Sequence, residues 1–147
     1  MSQIDGEPGA QDFVEVRLPA AGAYLSVLRT ATAGLAARLD FTLDEIEDLR
    51  IAVDEACAIL LTKAVPGSGL TCRFELRDGA LGVDVSVPTL DGKTPARDTF
   101  AWTVLAALAG QVDARVSDAD GPDGPAGTGI GQTVTISMLK QRGVGAS

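Results

Sequence analysis

The sequence predicts an α+β fold, a two-layer α/β sandwich with three helices on one face of a mixed, mostly antiparallel sheet. Three observations carry that expectation. Residues 70–87 alternate apolar and polar on either side of Asp78-Gly79, the pattern of a β-hairpin. Residues 42–64 repeat apolar positions at spacings of three and four, the period of an amphipathic helix. The full order of segments is strand, helix, helix, strand, strand, helix, strand, strand, which lets one helical layer bury one face of one sheet.

Residues 1–11 are polar, contain Gly and Pro, and read as a flexible lead-in. Phe13 to Leu18 alternates, with Val14, Val16 and Leu18 on one side and Phe13, Glu15 and Arg17 on the other, and Pro19 ends this strand. A helix is expected from about Ala21 to Leu39, with Tyr24, Leu28, Ala31, Leu35 and Leu39 as its apolar stripe. Its opposite face is small, made of Ser26, Thr30, Ala33 and Ala37, and Arg29 stands beside them. A close-approaching chain suits such a face, and a guanidinium fork can take a carboxylate there. An exposed arginine on an alanine-rich helix accounts for the same residues.

The central helix, Thr42 to Ala64, opens on a capping box in which the Thr42 hydroxyl and the Glu45 carboxylate each accept from a free backbone amide. Ile46, Leu49, Val53, Cys57, Leu60 and Ala64 form its core stripe. Glu55 points away from that stripe, yet Ile51 and Ile59 flank it one turn to either side. After the turn cluster Pro66 to Gly69, Leu70, Cys72, Phe74 and Leu76 alternate, then Leu81, Val83, Val85 and Val87. Pro88 to Arg97 is a loop, and Asp98 can cap a helix that runs through Leu108 and ends at Gly110. Phe100, Val104 and Leu108 give that helix its stripe, and Trp102 and Leu105 give it a second apolar side. Val112, Ala114 and Val116 suggest a strand, residues 118–131 a Gly/Pro loop, Thr133 to Leu139 a last strand, and residues 141–147 a flexible tail. One domain therefore occupies residues 12–140.

A chain of 147 residues is one domain by length and buries roughly two thirds of its unfolded surface. Its net charge of −8 opposes direct contact with nucleic acid or an anionic membrane and suits a basic protein partner. No apolar run approaches the roughly 20 residues of a membrane span, and the N-terminus carries no signal segment, so a cytoplasmic location is expected. Two cysteines do not make a disulfide framework. Without histidine a zinc site is disfavoured, and Ser-His-Asp and Cys-His catalysis are excluded. Asp44, Glu45, Glu47 and Asp48 crowd the start of the central helix. The helix macrodipole favours acids there with no partner at all, and the same cluster also suits a basic docking surface.

The stretch ARLDFTLDEIEDLRIAVDEACAILL, with its small-residue helix, Leu-Asp turn, acidic helix start and Asp-Glu-Ala before an apolar run, resembles the bacterial anti-sigma regulatory factors of the partner-switching type. These belong to the histidine-kinase-like ATPase superfamily. The resemblance implies a central helix carrying Glu-x-x-x-Asn, whose glutamate serves phosphoryl transfer and whose asparagine holds magnesium on ATP. Glu55 takes the catalytic glutamate's place, but Ile59 stands at the asparagine. It offers no oxygen to a hard cation. The family's Asp-x-Gly-x-Gly aspartate falls by register near Val87, with Asp91-Gly92 a few residues late, and its second glycine motif falls at Phe100 to Trp102. Gly127, Gly129 and Gly131 precede a strand rather than a helix and read as a hairpin loop.

With Ile59, Val87 and Trp102 in place of nucleotide contacts, no cofactor is expected, and neither is a metal. Glu55 becomes a remnant or a structural acid on an apolar face that Trp102 and Phe100 fill or that has collapsed. The resemblance implies an anti-sigma factor that sequesters a sigma factor, is antagonised by an anti-anti-sigma protein, and forms a homodimer around its first strand and helix. Arg29 falls at the place of a family arginine that contacts both partners, with Asp44, Glu45, Glu47 and Asp48 as a second docking element. The alternatives are a serine kinase that phosphorylates the anti-anti-sigma protein with Mg-ATP, Glu55 assisting, and a sensor that kept the pocket for another small ligand.

Overall fold

A computed structural model describes residues 12–118 and 131–143. The expected lead-in, most of the glycine loop and the last four residues of the tail lie outside the described residues. Strand β1 (Asp12–Pro19) is followed by a 3-10 turn (Gly22–Tyr24), helices α1 (Leu25–Arg38) and α2 (Leu43–Leu61), and strands β2 (Gly69–Arg77) and β3 (Ala80–Thr89). Helix α3 (Phe100–Ala109) and strands β4 (Gln111–Asp118) and β5 (Gln132–Gln141) complete the order. The α+β sandwich is as expected.

The sheet runs β1-β2-β3-β5-β4, and every neighbouring pair is antiparallel, so among the described residues the mixed character is missing. The connection through α3 does make β3 and β4 run the same way. Because β5 inserts between them, both of its contacts are antiparallel.

The hairpin places the core. Gly79 turns it with φ 75, a left-handed value that glycine adopts without strain. Cys72 then sits opposite Val85 and Phe74 opposite Val83, while Val85 and Val83 face Ile136 and Met138 on β5. All six are buried beneath the helices. Helix α2 lies over these rows and packs against both α1 and α3. Of its expected stripe Leu49, Val53, Cys57 and Leu60 are buried and Ile46 is half-buried, and Ala52 and Ala56 broaden it where the flanking helices close in. The capping box is present: the Glu45 N–H donates to Thr42 Oγ1 at 3.1 Å and the Thr42 N–H donates to Glu45 Oε1 at 2.8 Å.

Three details differ from the sequence expectation. Helix α2 stops at Leu61 instead of Ala64, because Thr62 turns back on the Ile59 carbonyl at 2.7 Å and Ala64 bridges to Thr89 of β3. In α1 the buried row is Leu25, Leu28, Thr32 and Ala36, while Tyr24 is 45% exposed. The 3-10 turn takes Tyr24 off the helical phase, and the Thr32 hydroxyl is satisfied by the Leu28 carbonyl at 2.7 Å. In α3 the cap is Thr99, whose Oγ1 accepts from the Trp102 N–H at 3.1 Å, and Trp102, Leu105 and Ala109 face inward. Phe100, read as part of the stripe, is 83% exposed. A helix apolar on nearly all sides cannot announce which side is buried.

Residues 141–143, read as part of a tail, belong to the domain. Gln141 ends β5, the Arg142 N–H donates to the Gly79 carbonyl at 2.8 Å and its guanidinium to the Leu39 carbonyl at 3.0 Å, and the Gly143 N–H donates to Glu45 Oε2 at 2.6 Å.

Replacing Thr42 by Ala removes one half of the capping box and is expected to cost about 1 kcal/mol of unfolding free energy. Urea titration followed by circular dichroism checks it; an unchanged midpoint would mean the other contacts at this end carry the cap.

Candidate functional site

Glu55, Ala58 and Ile59 on α2 and Thr62 at its C-cap share the face opposite the core stripe, Ile59 lying four residues from Glu55 and Thr62 four from Ala58. Together with Lys63 they form one wall of an open groove of about 360 Å³, and Pro95, Ala96, Thr99 and Ala101, leading into α3, form the other. The groove is mostly apolar. Glu55 is half-buried in it and has no ion pair among the described residues.

Lys63 does not present a free charge to this groove. Its ammonium donates to Asp91 Oδ2 at 2.9 Å, and Asp91 Oδ1 also accepts from the Thr89 hydroxyl and the Lys93 N–H, both at 2.9 Å. These donors, the Lys63 ammonium foremost, hold the Asp91 carboxyl down at about 2. On the far side Arg97 donates to Asp113 at 2.7 Å and lies over the Trp102 ring at 5.1 Å.

The structure separates the residues expected to replace nucleotide contacts. Ile59 lines the groove with Glu55, but Val87 faces the core with no exposed surface and Trp102 is buried beneath α3. Phe100 points outward, so the groove is neither filled by Phe100 and Trp102 nor collapsed. Asp91, which falls a few residues late for the family's aspartate, anchors Lys63. The sequence reading missed Lys63, Thr62, Pro95, Ala96 and Thr99. Lys63 could have been found one turn beyond Ile59 on the same helical path, whereas the far wall comes from a loop without periodicity.

The residues around the groove do not fit a magnesium-bound nucleotide. Magnesium needs oxygen ligands, Ile59 has none, and the Asp91 oxygens already take three donors. Among the described residues no group of three His, Cys, Asp or Glu side chains could hold a metal ion. The Lys63–Asp91 pair cancels its own charge and leaves Glu55 as the groove's net charge, which opposes phosphate. Nor do the thiols offer a nucleophile: burial pushes Cys57 up to about 12 and Cys72 higher still.

The other predicted residues cluster on α1 and the start of α2. Arg29 Nε donates to both Asp54 oxygens at 2.8 Å, with both side chains over a third exposed, so the carboxylate next to Glu55 turns to α1 while Glu55 turns to the groove. The acidic cluster is largely occupied. Glu45 is used by the Thr42 and Gly143 amides, which hold its carboxyl below its ordinary value, Thr42 most of all. Glu47 pairs with Arg50 at 3.0 Å, Asp48 lies 4.0 Å from Lys140, and Asp44, with neither an ion pair nor a hydrogen bond of its own among the described residues, is the uncommitted one.

Three helices layered on an antiparallel sheet, with a groove between the second helix and the approach to the third, make this a histidine-kinase-like ATPase fold. No protein-family model matches the chain. It is 34% identical over 122 residues to the anti-sigma-F factor RsbW of Mycobacterium tuberculosis, covering 83% of this chain and 71% of that protein. Over 46 residues it is 48% identical to the serine-protein kinase RsbW of Bacillus subtilis, which is 31% of this chain and 29% of that protein. Over 70 residues it is 34% identical to the serine-protein kinase RsbW of Bacillus licheniformis, 48% of this chain and 44% of that protein. The chain thus spans less than half the length of these two Bacillus relatives. It belongs to the RsbW family.

The folded Asp91 value lies below the ordinary value of 3.8, so the Lys63–Asp91 link stabilises the fold above that value and is lost as pH falls through about 2. Carbon-detected NMR of the carboxyl group is expected to give a midpoint near 2, rising toward the ordinary carboxylate range in Lys63→Met; a wild-type midpoint near 4 would contradict the pairing.

Proposed function

We propose that this chain is an anti-sigma factor. It binds an RNA polymerase sigma factor, withholds it from polymerase, and gives it up when an anti-anti-sigma protein competes for an overlapping surface. The observation that carries this is the extent of the match to the anti-sigma-F factor, which runs through most of both chains. Among the described residues no helix is long and apolar enough to cross a membrane, and we place the protein's action in the cytoplasm, where sigma factors meet polymerase.

Regulation here works by stoichiometric binding. The groove chemistry supports that, since among the described residues that line it the uncommitted charge is the acid Glu55, and Ile59, with no oxygen to offer a metal, stands where the family resemblance would put one. A second reading, a serine kinase acting on the anti-anti-sigma protein, draws on the names of the Bacillus relatives and on Glu55 standing in the groove.

Arg29 is the principal partner-binding residue. Asp54 engages Nε and thereby fixes the guanidinium, leaving its terminal N–H groups to take a partner carboxylate. Asp44 and the exposed rim around it provide a weaker element that acts on association rate. The homodimer forms along β1 and the start of α1, where Phe13, Val14, Tyr24 and Val27 are exposed beside an edge strand.

Arg29→Gln, which avoids placing a second carboxylate against Asp54, is expected to weaken binding of the cognate sigma factor by roughly thirtyfold, about 2 kcal/mol, with the circular dichroism spectrum retained. Calorimetry measures it, and unchanged affinity would reduce Arg29 to a structural partner of Asp54. Incubation with magnesium, labelled ATP and the anti-anti-sigma protein is expected to leave the latter unlabelled; stoichiometric phosphoserine would establish the kinase instead.

A further inference from the structure

The groove beside Glu55 survives although its residues do not suit a magnesium nucleotide, and its chemistry has a definite complement. Ala58, Ile59, Pro95 and Ala96 offer apolar walls, and Glu55 offers a carboxylate with no cation of its own among the described residues. Lys63 is committed to Asp91, so the charge presented inside is negative, on a chain whose net charge is −8. An occupant should therefore carry a positive charge on an apolar body.

The rim says which kind of occupant. Phe100, between two residues that line the groove, is 83% exposed, and Leu90, next to the Asp91 that holds Lys63, is 63% exposed. Large apolar side chains outside the groove add nothing to a small amine sitting within it. They do add contact area for a longer chain crossing its mouth.

We propose that this groove is a docking site for a protein segment that presents a lysine or arginine between apolar residues. The cation meets Glu55, and the flanking side chains lie on Ile59, Pro95, Leu90 and Phe100. This deepens the reading of the chain as a protein-binding factor and assigns it a second contact surface, separate from Arg29. Ile59 in the lining gives the groove a wall against which a hydrocarbon stem can lie.

The test uses the whole chain and an acetylated, amidated peptide Ala-Leu-Lys-Leu-Ala, with backbone amide NMR as readout. Shifts are expected at Ala58, Ile59, Thr62, Ala96 and Ala101, with affinity falling about tenfold when the peptide lysine is replaced by norleucine and likewise in Glu55→Gln. Ala58→Trp, at an exposed helical position that fills the groove, is expected to abolish the shifts while the remaining spectrum stays dispersed. Equal binding of the norleucine peptide, shifts elsewhere, or equal affinity for phenethylammonium alone would overturn the proposal. So would a groove response to Mg-ATP with none to the peptide. Absence of any peptide response in the wild-type chain, when that chain still binds its sigma factor, overturns the groove assignment alone.

Discussion

Burial of helix α2 is the constraint on which the rest depends. It lies on the sheet and between α1 and α3, so its inward rows, Leu49, Val53, Cys57 and Leu60 with Ala52 and Ala56, are excluded from water together. Each large side chain there contributes about 1.5–3 kcal/mol by leaving water. A register shift of one residue would turn that whole set, and the helix is held against it by its cap at Thr42 and by its stop at Thr62. Once the inward rows are set, the outward positions have no freedom. Asp54 must look toward α1 and Glu55 toward the groove.

Two ion pairs then divide the surface between them. Arg29–Asp54 ties α1 to the middle of α2, and Lys63–Asp91 ties the end of α2 to the loop after β3. Both are partly exposed, so neither contributes much to stability by itself. Their effect is on what the surface presents. The first immobilises a guanidinium that would otherwise sample many rotamers, and the second removes a cation from the groove. Adjacent residues on one helix thus face different surfaces, Asp54 holding a cation and Glu55 lining the groove with no ion pair among the described residues.

Much of the frame was legible because it rests on local periodicity. The hairpin at Asp78-Gly79, the capping box, and the inward rows of α2, β2 and β3 all follow from spacing, since a period of two or between three and four leaves few alternatives. The misreadings share a different cause. Helix α3 is apolar on nearly every side, so Phe100 and Trp102 exchanged their expected places; the 3-10 turn before α1 shifted Tyr24 out of phase. Arg142 and Gly143 looked like tail residues because their anchors, Gly79, Leu39 and Glu45, are far away in sequence.

By itself the sequence determined the order of elements and the identity of the organising helix. These need only neighbouring residues and their chemistry. The tertiary structure alone decided that Asp54 would hold Arg29, that Asp91 would neutralise Lys63, and that a groove would persist beside Glu55 with Phe100 outside it. Such outcomes depend on which charged groups are brought within bonding distance across 25 or 28 residues of chain, and on how far one layer stands from another. Spacing along the chain carries no information about either.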